Sequence, residues 1–144
     1  MAIIQTTCTS FKLQLLKAEH DFDAHTFKIA LYSSVASLGA DTTVYSTANE
    51  ITNTTGTAYT AGGKPLTVTS TFPKTSGTTA IVDFDNISWT DASFTARGAL
   101  IYNASASNKA VAVLDFGSDR VASDSTFEIQ FPVADATSAI IRIA

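Results

Sequence analysis

The chain has 144 residues, of which 45% are hydrophobic and only 15% are charged, and its net charge is −4. This length predicts a single domain over residues 1–144, built around one hydrophobic core. The cations are scattered singly from Lys12 to Arg142, so the sequence offers no basic stripe that could neutralise phosphates, and nucleic acid is not an expected partner. Serine and threonine make up about a quarter of the chain, which predicts a hydroxyl-rich surface with few ion pairs.

No targeting or membrane segment is predicted. The first residues, MAIIQTTC, lack the basic flank and long apolar run of a signal peptide, and no window approaches the roughly 18 apolar residues of a membrane span. We therefore expect a protein that is made and kept in a cytoplasm. The lone Cys8 excludes an internal disulfide, and the sequence favours a small apolar filler on a helix over a nucleophile.

The first predicted element is an amphipathic helix from Thr9 to Glu19. Its apolar positions recur at intervals of three and four residues, and Leu16 widens the apolar stripe. The recurring positions are Phe11, Leu15 and Ala18. We assign residues 1–23 to this helix and the corner that follows it.

From residue 24 onward the apolar period changes to two. In TFKIALYS, apolar and other residues alternate from Phe27 to Leu31, which predicts a half-buried strand. The same alternation recurs in PLTVTST, TAIVDFD, ARGALIYN, AVAVLDF, TFEIQFPV and SAIIRIA. These segments predict seven or eight short strands. The strand that contains Pro132 is expected to be an edge strand or to end at the proline. The expected fold is all-β, an antiparallel β-sandwich over residues 24–144 preceded by a short N-terminal α-helix.

Residues 33–64 form the one long stretch with weak periodicity. Long segments of this kind inside compact domains are often functional, which makes it a candidate contact arm. A meander with one further edge strand around Val44 and Tyr45 explains the pattern equally well.

The segment HDFDAH, from His20 to His25, contains both histidines of the chain. Imidazole nitrogens and carboxylate oxygens can bind a metal, but they must converge from a suitable backbone. The segment instead lies where the helical period gives way to the strand period. We therefore favour a helix-to-strand corner anchored by Phe22, with Asp21 and Asp23 as turn formers, over a metal site.

Two other motifs invite a functional interpretation. Asp83 and Asp85 would share one face of a strand, but no third ligand or nucleophile accompanies them, so a solvated strand face before a turn is favoured. The sequence AGGKPL lacks the spacing and the helix of a phosphate-binding loop, which leaves Gly62 and Gly63 as a chain reversal. No catalytic, cofactor-binding or metal-binding residue is therefore predicted.

Four blocks in this order resemble a family of small virion structural proteins of tailed bacteriophages. The blocks are HDFDAHTFKIALYS, EITNTTGTAYTAGGKPLTV, ARGALIYNAS and AVAVLDFGS. The resemblance extends from about Phe11 to Ile143, and Tyr59, Gly62 and Gly63 match the family's aromatic residue and paired glycines. Ala58 departs from the pattern, because the family often has glycine before the tyrosine.

The resemblance implies a non-enzymatic protein of the virus particle, most often a capsid decoration or cement protein. Such proteins are frequently jelly-roll-like sandwiches that act as dimers or trimers. The expected partners are the major capsid protein and further copies of this chain, the expected location is the virion, and no cofactor or membrane is implied. Many weak contacts suffice for this role, since symmetry and avidity multiply them.

Two alternatives remain open. In the first, the chain is a tail or fibre-associated protein that binds a host-surface glycan, with exposed Tyr45, Tyr59 or Trp89 stacking on a sugar ring. In the second, it is a small metal-dependent enzyme built on His20 to His25.

Overall fold

The computed structural model describes residues 2–52, 58–68 and 72–144. Within these ranges the chain is mostly β, with two antiparallel sheets and one short helix. The elements are β1 (Thr6–Thr7), α1 (Thr9–Leu16), β2 (Phe27–Tyr32), β3 (Lys64–Pro65), β4 (Lys74–Ser76), β5 (Thr79–Val82), β6 (Ile87–Asn103), β7 (Lys109–Ile129) and β8 (Ile141–Ile143). The all-β prediction is confirmed at this level.

The larger sheet has the strand order β1-β7-β6-β2-β3, and the smaller one has the order β4-β5-β8. Strand β2 pairs along its whole length with the last third of β6, from Phe27 opposite Asn103 to Tyr32 opposite Gly98. Only Lys28 in β2 is partly exposed. The prediction of a half-buried strand was therefore wrong, because other segments cover both faces of β2.

The hairpin of β6 and β7 dominates the fold. These strands contain 17 and 21 residues, whereas the sequence predicted several short strands in the same region. The pairing continues through polar stretches because register shifts absorb the residues that interrupt it, between Trp89 and Ala92 and between Ala96 and Gly98. Strand β7 ends at Ile129, three residues before Pro132, which agrees with a strand end near the proline.

The helix begins at the predicted residue but is shorter than predicted. Phe11 is buried in the core, whereas Leu16 is 88% exposed, so its assignment to the buried stripe was wrong. The helix ends at Leu16 because Ala18 adopts a positive φ of 57°. No helix in the described part of the chain is long and apolar enough to cross a membrane.

The core contains two groups of aromatic side chains. One joins the helix and corner to β2 and consists of Phe11, Phe22, Phe27 and Phe84. The other lies against the hairpin and consists of Tyr59, Trp89, Phe94 and Phe127. Val82 and Ile141 of the smaller sheet belong to the same core, so both sheets share it.

More than half of the described residues 33–52 and 58–64 are exposed, and the buried ones include Ala36, Glu50 and Tyr59. Val44 forms a single antiparallel bridge with Lys109, and Tyr32 forms one with Glu50. Among the described residues 33–52 and 58–63 no strand forms, so the predicted edge strand around Val44 is reduced to one bridge. Residues 53–57 of the candidate arm lie outside the described residues.

Candidate functional site

The corner from His20 to His25 is built around Phe22, as predicted. Phe22 stacks on Phe27 with ring centroids 4.3 Å apart and meets Phe11 edge-on at 6.2 Å. Asp21 Oδ1 accepts hydrogen bonds from the backbone N–H groups of Asp23 and Ala24 at 2.9 and 3.2 Å. The carboxylate therefore closes the turn locally, as short acidic side chains commonly do.

Both histidines of the corner meet Asn103, a fully buried residue at the end of β6. The Asn103 amide nitrogen lies 3.0 Å from His20 Nδ1 and 2.9 Å from His25 Nδ1. His20 Nε2 lies 2.8 Å from Gln14 Oε1 in the helix. The contact between Asn103 and the histidines could not be predicted, because Asn103 lies 78 residues or more from them in the sequence.

No cluster of three or more His, Cys, Asp or Glu side chains suited to a metal ion occurs in residues 2–52, 58–68 and 72–144. In the corner, the Nδ1 atoms that a metal would use both face the Asn103 amide. Both Nδ1 atoms are therefore engaged in holding the corner on the end of β6.

The two aspartates after β5 differ in environment. Asp83 is buried, and its Oδ1 accepts the Phe84 backbone N–H at 2.8 Å. Burial raises the pKa of Asp83, although the Phe84 N–H opposes this effect. Asp85 is exposed, and its backbone N–H donates to the Thr67 carbonyl at 2.9 Å. The predicted solvated strand face was wrong for Asp83, because β5 ends at Val82 and the chain turns inward.

A buried carboxylate, Glu50, organises a second polar cluster that the sequence analysis missed. Glu50 Oε1 accepts the Gly62 backbone N–H at 2.7 Å and the hydroxyl of Tyr59, while Oε2 accepts the hydroxyl of Tyr45 at 2.7 Å. Three donors thus satisfy one carboxylate that is only 7% exposed. The isolated acid in a Thr- and Asn-rich stretch is the one sequence signal that could have indicated it.

Burial and Glu50 together disfavour ionisation of the surrounding tyrosines. Burial raises the pKa of Tyr102 to about 12, and the negative charge of Glu50 acts in the same direction. The pKa values of Tyr45 and Tyr59 are also raised, first by burial and then by their hydrogen bonds to Glu50. The hydroxyls of Tyr45 and Tyr59 therefore act as donors to the carboxylate and not as bases.

The paired glycines hold this cluster against the sheet. The Tyr102 hydroxyl donates to the Gly62 carbonyl at 2.7 Å. Gly63 has a φ of 74°, and a Cβ there would lie 2.6 Å from the Ile29 carbonyl carbon and still nearer to its oxygen. Only glycine fits so close to the backbone of β2. The predicted chain reversal at Gly62 and Gly63 is therefore confirmed, and the close contact between Gly63 and Ile29 explains why a glycine is needed at residue 63.

The aromatic side chains suggested for glycan stacking are mostly inaccessible. Tyr59 and Trp89 are both buried, which corrects the expectation that they are exposed. Tyr59 also accepts the Leu31 backbone N–H at 2.9 Å, and Lys64 Nζ lies 5.4 Å from the centre of the Trp89 ring. Tyr45 alone of the three is partly exposed, and it stacks on Tyr102 at 4.6 Å.

Cys8 is fully buried at the residue before α1, with its Sγ 3.9 Å from the Gly39 carbonyl oxygen. Burial, aided by Asp41, raises the pKa of the thiol to about 11. A buried thiol of this kind is a poor nucleophile, which agrees with its predicted role as a filler, although it precedes the helix.

An apolar concavity lies on the surface between the helix and the last strand. We call it the α1–β8 groove; it has a volume of about 300 Å³ and is lined by Thr7, Phe11, Lys12, Leu15, Leu16, Ile141, Arg142 and Ile143. Leu16 is 88% exposed and Ile143 is 57% exposed. The lining includes two cations and no acid, although the chain as a whole is acidic.

Comparison with known protein families, curated proteins and solved structures found no match for this chain. The site is therefore interpreted from its own geometry.

Proposed function

We propose that this chain is a non-enzymatic structural protein of a bacteriophage virion, acting as a capsid decoration protein that binds and stabilises the shell of the major capsid protein. The order of the four sequence blocks supports this proposal. Eight strands in two antiparallel sheets that share one core are compatible with the jelly-roll-like sandwich that the proposal includes. The proposal also includes a homodimer or homotrimer.

The observation that carries the proposal is the α1–β8 groove. Its exposed Leu16 and Ile143 give it apolar surface that a partner could bury, and exposed apolar patches commonly mark interaction sites. Lys12 and Arg142 at the groove favour a partner segment that combines apolar side chains with carboxylates. The occupant we propose is such a segment of the major capsid protein.

The energetics of this groove suit a protein that is bound in many copies. Full burial of a leucine or isoleucine side chain contributes about 1.5–3 kcal/mol. One groove with two such side chains therefore gives only modest affinity, because association also costs rotational and translational freedom. On a symmetric shell, oligomers of the chain would engage several sites together and multiply this affinity.

The test is binding of the purified chain to capsid shells that lack it, measured by co-sedimentation. We expect Leu16→Asp to weaken binding by about tenfold or more, because 1.4 kcal/mol corresponds to a factor of ten. Leu13→Asp is the matched control: Leu13 is on the same helix and 56% exposed, but it does not line the groove. Equal binding by both variants would contradict the role of the groove, and absence of binding by the unmodified chain would contradict the proposed function.

The alternative, a tail or fibre-associated protein that binds a host glycan, retains less support. Of the three aromatic residues proposed to stack on a sugar, only Tyr45 is accessible. Adsorption of the free chain to host cells that is lost in Tyr45→Ala would favour this alternative over capsid decoration.

A further inference from the structure

Asn103 sits where three parts of the chain meet: the end of β6, the corner from His20 to His25, and the turn before β7. We infer that Asn103 and the two histidines form a pH-sensitive lock, which holds the corner and the end of the helix on the hairpin turn while both imidazoles are neutral and releases them in acid. This device is independent of what the protein binds.

The hydrogen-bond directions in the lock are fixed by the backbone. Asn103 Oδ1 accepts the Ser105 N–H at 3.0 Å, so the amide nitrogen faces the histidines. That nitrogen has two hydrogens, which serve His20 Nδ1 at 3.0 Å and His25 Nδ1 at 2.9 Å. Both Nδ1 atoms must therefore be acceptors without a proton. The proton of neutral His20 then lies on Nε2, which donates to Gln14 Oε1 at 2.8 Å.

A proton added to either Nδ1 removes an acceptor and places the new N–H donor opposite the N–H donor of the Asn103 amide. Rotation of the Asn103 amide cannot repair the network, because it would turn the NH₂ group toward the Ser105 N–H. His25 Nδ1 also accepts the exposed Asp21 N–H at 3.2 Å. Unsatisfied buried donors cost enough to open a local contact.

The charged groups around the lock act in both directions. From β7, Lys109 disfavours a second positive charge, while its ion-pair partner Glu19 favours one. From the corner, Asp21 is occupied with the N–H groups of Asp23 and Ala24. The helix contributes the neutral Gln14 and Phe11, and β2 contributes Phe27.

Taken together, these surroundings keep His20 neutral. Burial lowers the pKa of His20 first, Lys109 and His25 act in the same direction, and Glu19 opposes them. The pKa of His20 is thus lower in the folded chain than in the unfolded chain. Its contribution to stability is complete above the ordinary histidine pKa, near 6.5, and is lost as the pH falls below that value toward the lower pKa of the folded chain.

Opening the lock would loosen the helix end. The corner is joined to the hairpin turn by two further bonds, from the Thr26 N–H to Ser105 Oγ at 2.8 Å and from the Ala104 N–H to the Thr26 carbonyl at 2.9 Å. Gln14 precedes the groove residues Leu15 and Leu16 in the helix. Acid is therefore expected to weaken binding in the α1–β8 groove. This consequence rests on the proposed function, whereas the lock itself is independent of it.

The test is amide hydrogen exchange of residues 20–26 in the free chain between about pH 7.5 and pH 5, the range in which an ordinary histidine titrates. The exchange rates are corrected for the intrinsic pH dependence of exchange. Above about pH 6.5 we expect little change, and below it we expect the opening equilibrium to rise by up to about tenfold per pH unit for each proton taken up. Protection of residues 20–26 that stays constant over this range would overturn the inference.

The decisive variant is Asn103→Asp, whose carboxylate can accept from an Nδ1–H of either histidine and still accept the Ser105 N–H. We expect it to abolish the acid-induced opening. Asn108→Asp is the matched control, because Asn108 is exposed in the same turn, has a φ of 57°, and makes no side-chain hydrogen bond to His20 or His25; it should open in acid as the unmodified chain does. Identical pH profiles for the two variants would refute the lock. If Asn103→Asp fails to fold, His20→Gln supplies the second test, since its side chain stays neutral and should reduce the slope of opening with pH.

Discussion

The contact between Gly63 and β2 yields the sharpest stability prediction. In Gly63→Ala, the new Cβ would lie 2.9 Å from Ala30 Cα and nearer still to the carbonyl group of Ile29. Ile29 is fully buried in a strand that is paired on both sides. Strand β2 cannot move away, so the turn at Gly62 and Gly63 must be displaced.

The expected cost has three parts. A positive φ with a side chain costs about 1–2 kcal/mol. Displacing the turn weakens the bonds of Glu50 to the Gly62 N–H and of Tyr102 to the Gly62 carbonyl, at about 1 kcal/mol for the neutral bond and 1.5–3 kcal/mol for the bond to the carboxylate. Together these give about 3.5–6 kcal/mol, which is a large part of the roughly 5–15 kcal/mol that stabilises a typical domain.

The control is Gly77→Ala, because Gly77 also has a positive φ, 61°, but no atom lies within 4 Å of its would-be Cβ. That variant should lose only the conformational part, about 1–2 kcal/mol. Urea unfolding followed by the fluorescence of the single, buried Trp89 measures both. Equal unfolding free energies for the two variants would refute the argument that the close contact with Ile29 requires glycine.

Two further predictions concern buried groups. Glu50→Gln should lower the free energy of unfolding by about 1.5–3 kcal/mol, since the charge that strengthens three hydrogen bonds is lost. Tyr45→Phe should then lower the free energy of unfolding less in the Glu50→Gln background than in the unmodified chain. Strictly additive losses in urea unfolding would contradict a shared cluster. Burial raises the pKa of the Cys8 thiol to about 11, whereas a free thiol has a pKa of about 8.5. Cys8 should therefore react with iodoacetamide at neutral pH far more slowly in the folded chain than in urea. Equal labelling rates would contradict the burial of Cys8.

The parts of the fold that were predictable rest on local patterns. The helix start at Thr9, the strand at Phe27, the Phe22 corner and the glycine turn all follow from periodicity or from residues within a few positions of one another. These features need only side-chain spacing and backbone preference, which a sequence displays directly.

The parts that were missed depend on long-range contacts. The segments around Trp89 and Ser123 look too polar for continuous strands, yet β6 and β7 pair through them because each is the other's neighbour. Tyr59 is buried because Trp89 and Phe94 pack on it from a distant part of the chain. A side chain's exposure is set by such partners, which the sequence around it does not reveal.

The same reasoning applies to the candidate site. The two histidines were identified as a pair, but their donor Asn103 lies at the end of β6, and the groove forms only where the helix meets the last strand. Both assemblies join residues that are far apart in the chain, so neither could be assigned before the fold was known.

We propose that the chain is a decoration protein of a phage capsid. The copy number of the chain in purified virions is the most direct test of this proposal. Quantitative mass spectrometry should find a ratio to the major capsid protein that is near one or a simple fraction of it, because a decoration protein follows the symmetry of the shell. A handful of copies per particle would contradict decoration and favour the tail, and absence of the chain from the particle would contradict a virion role altogether.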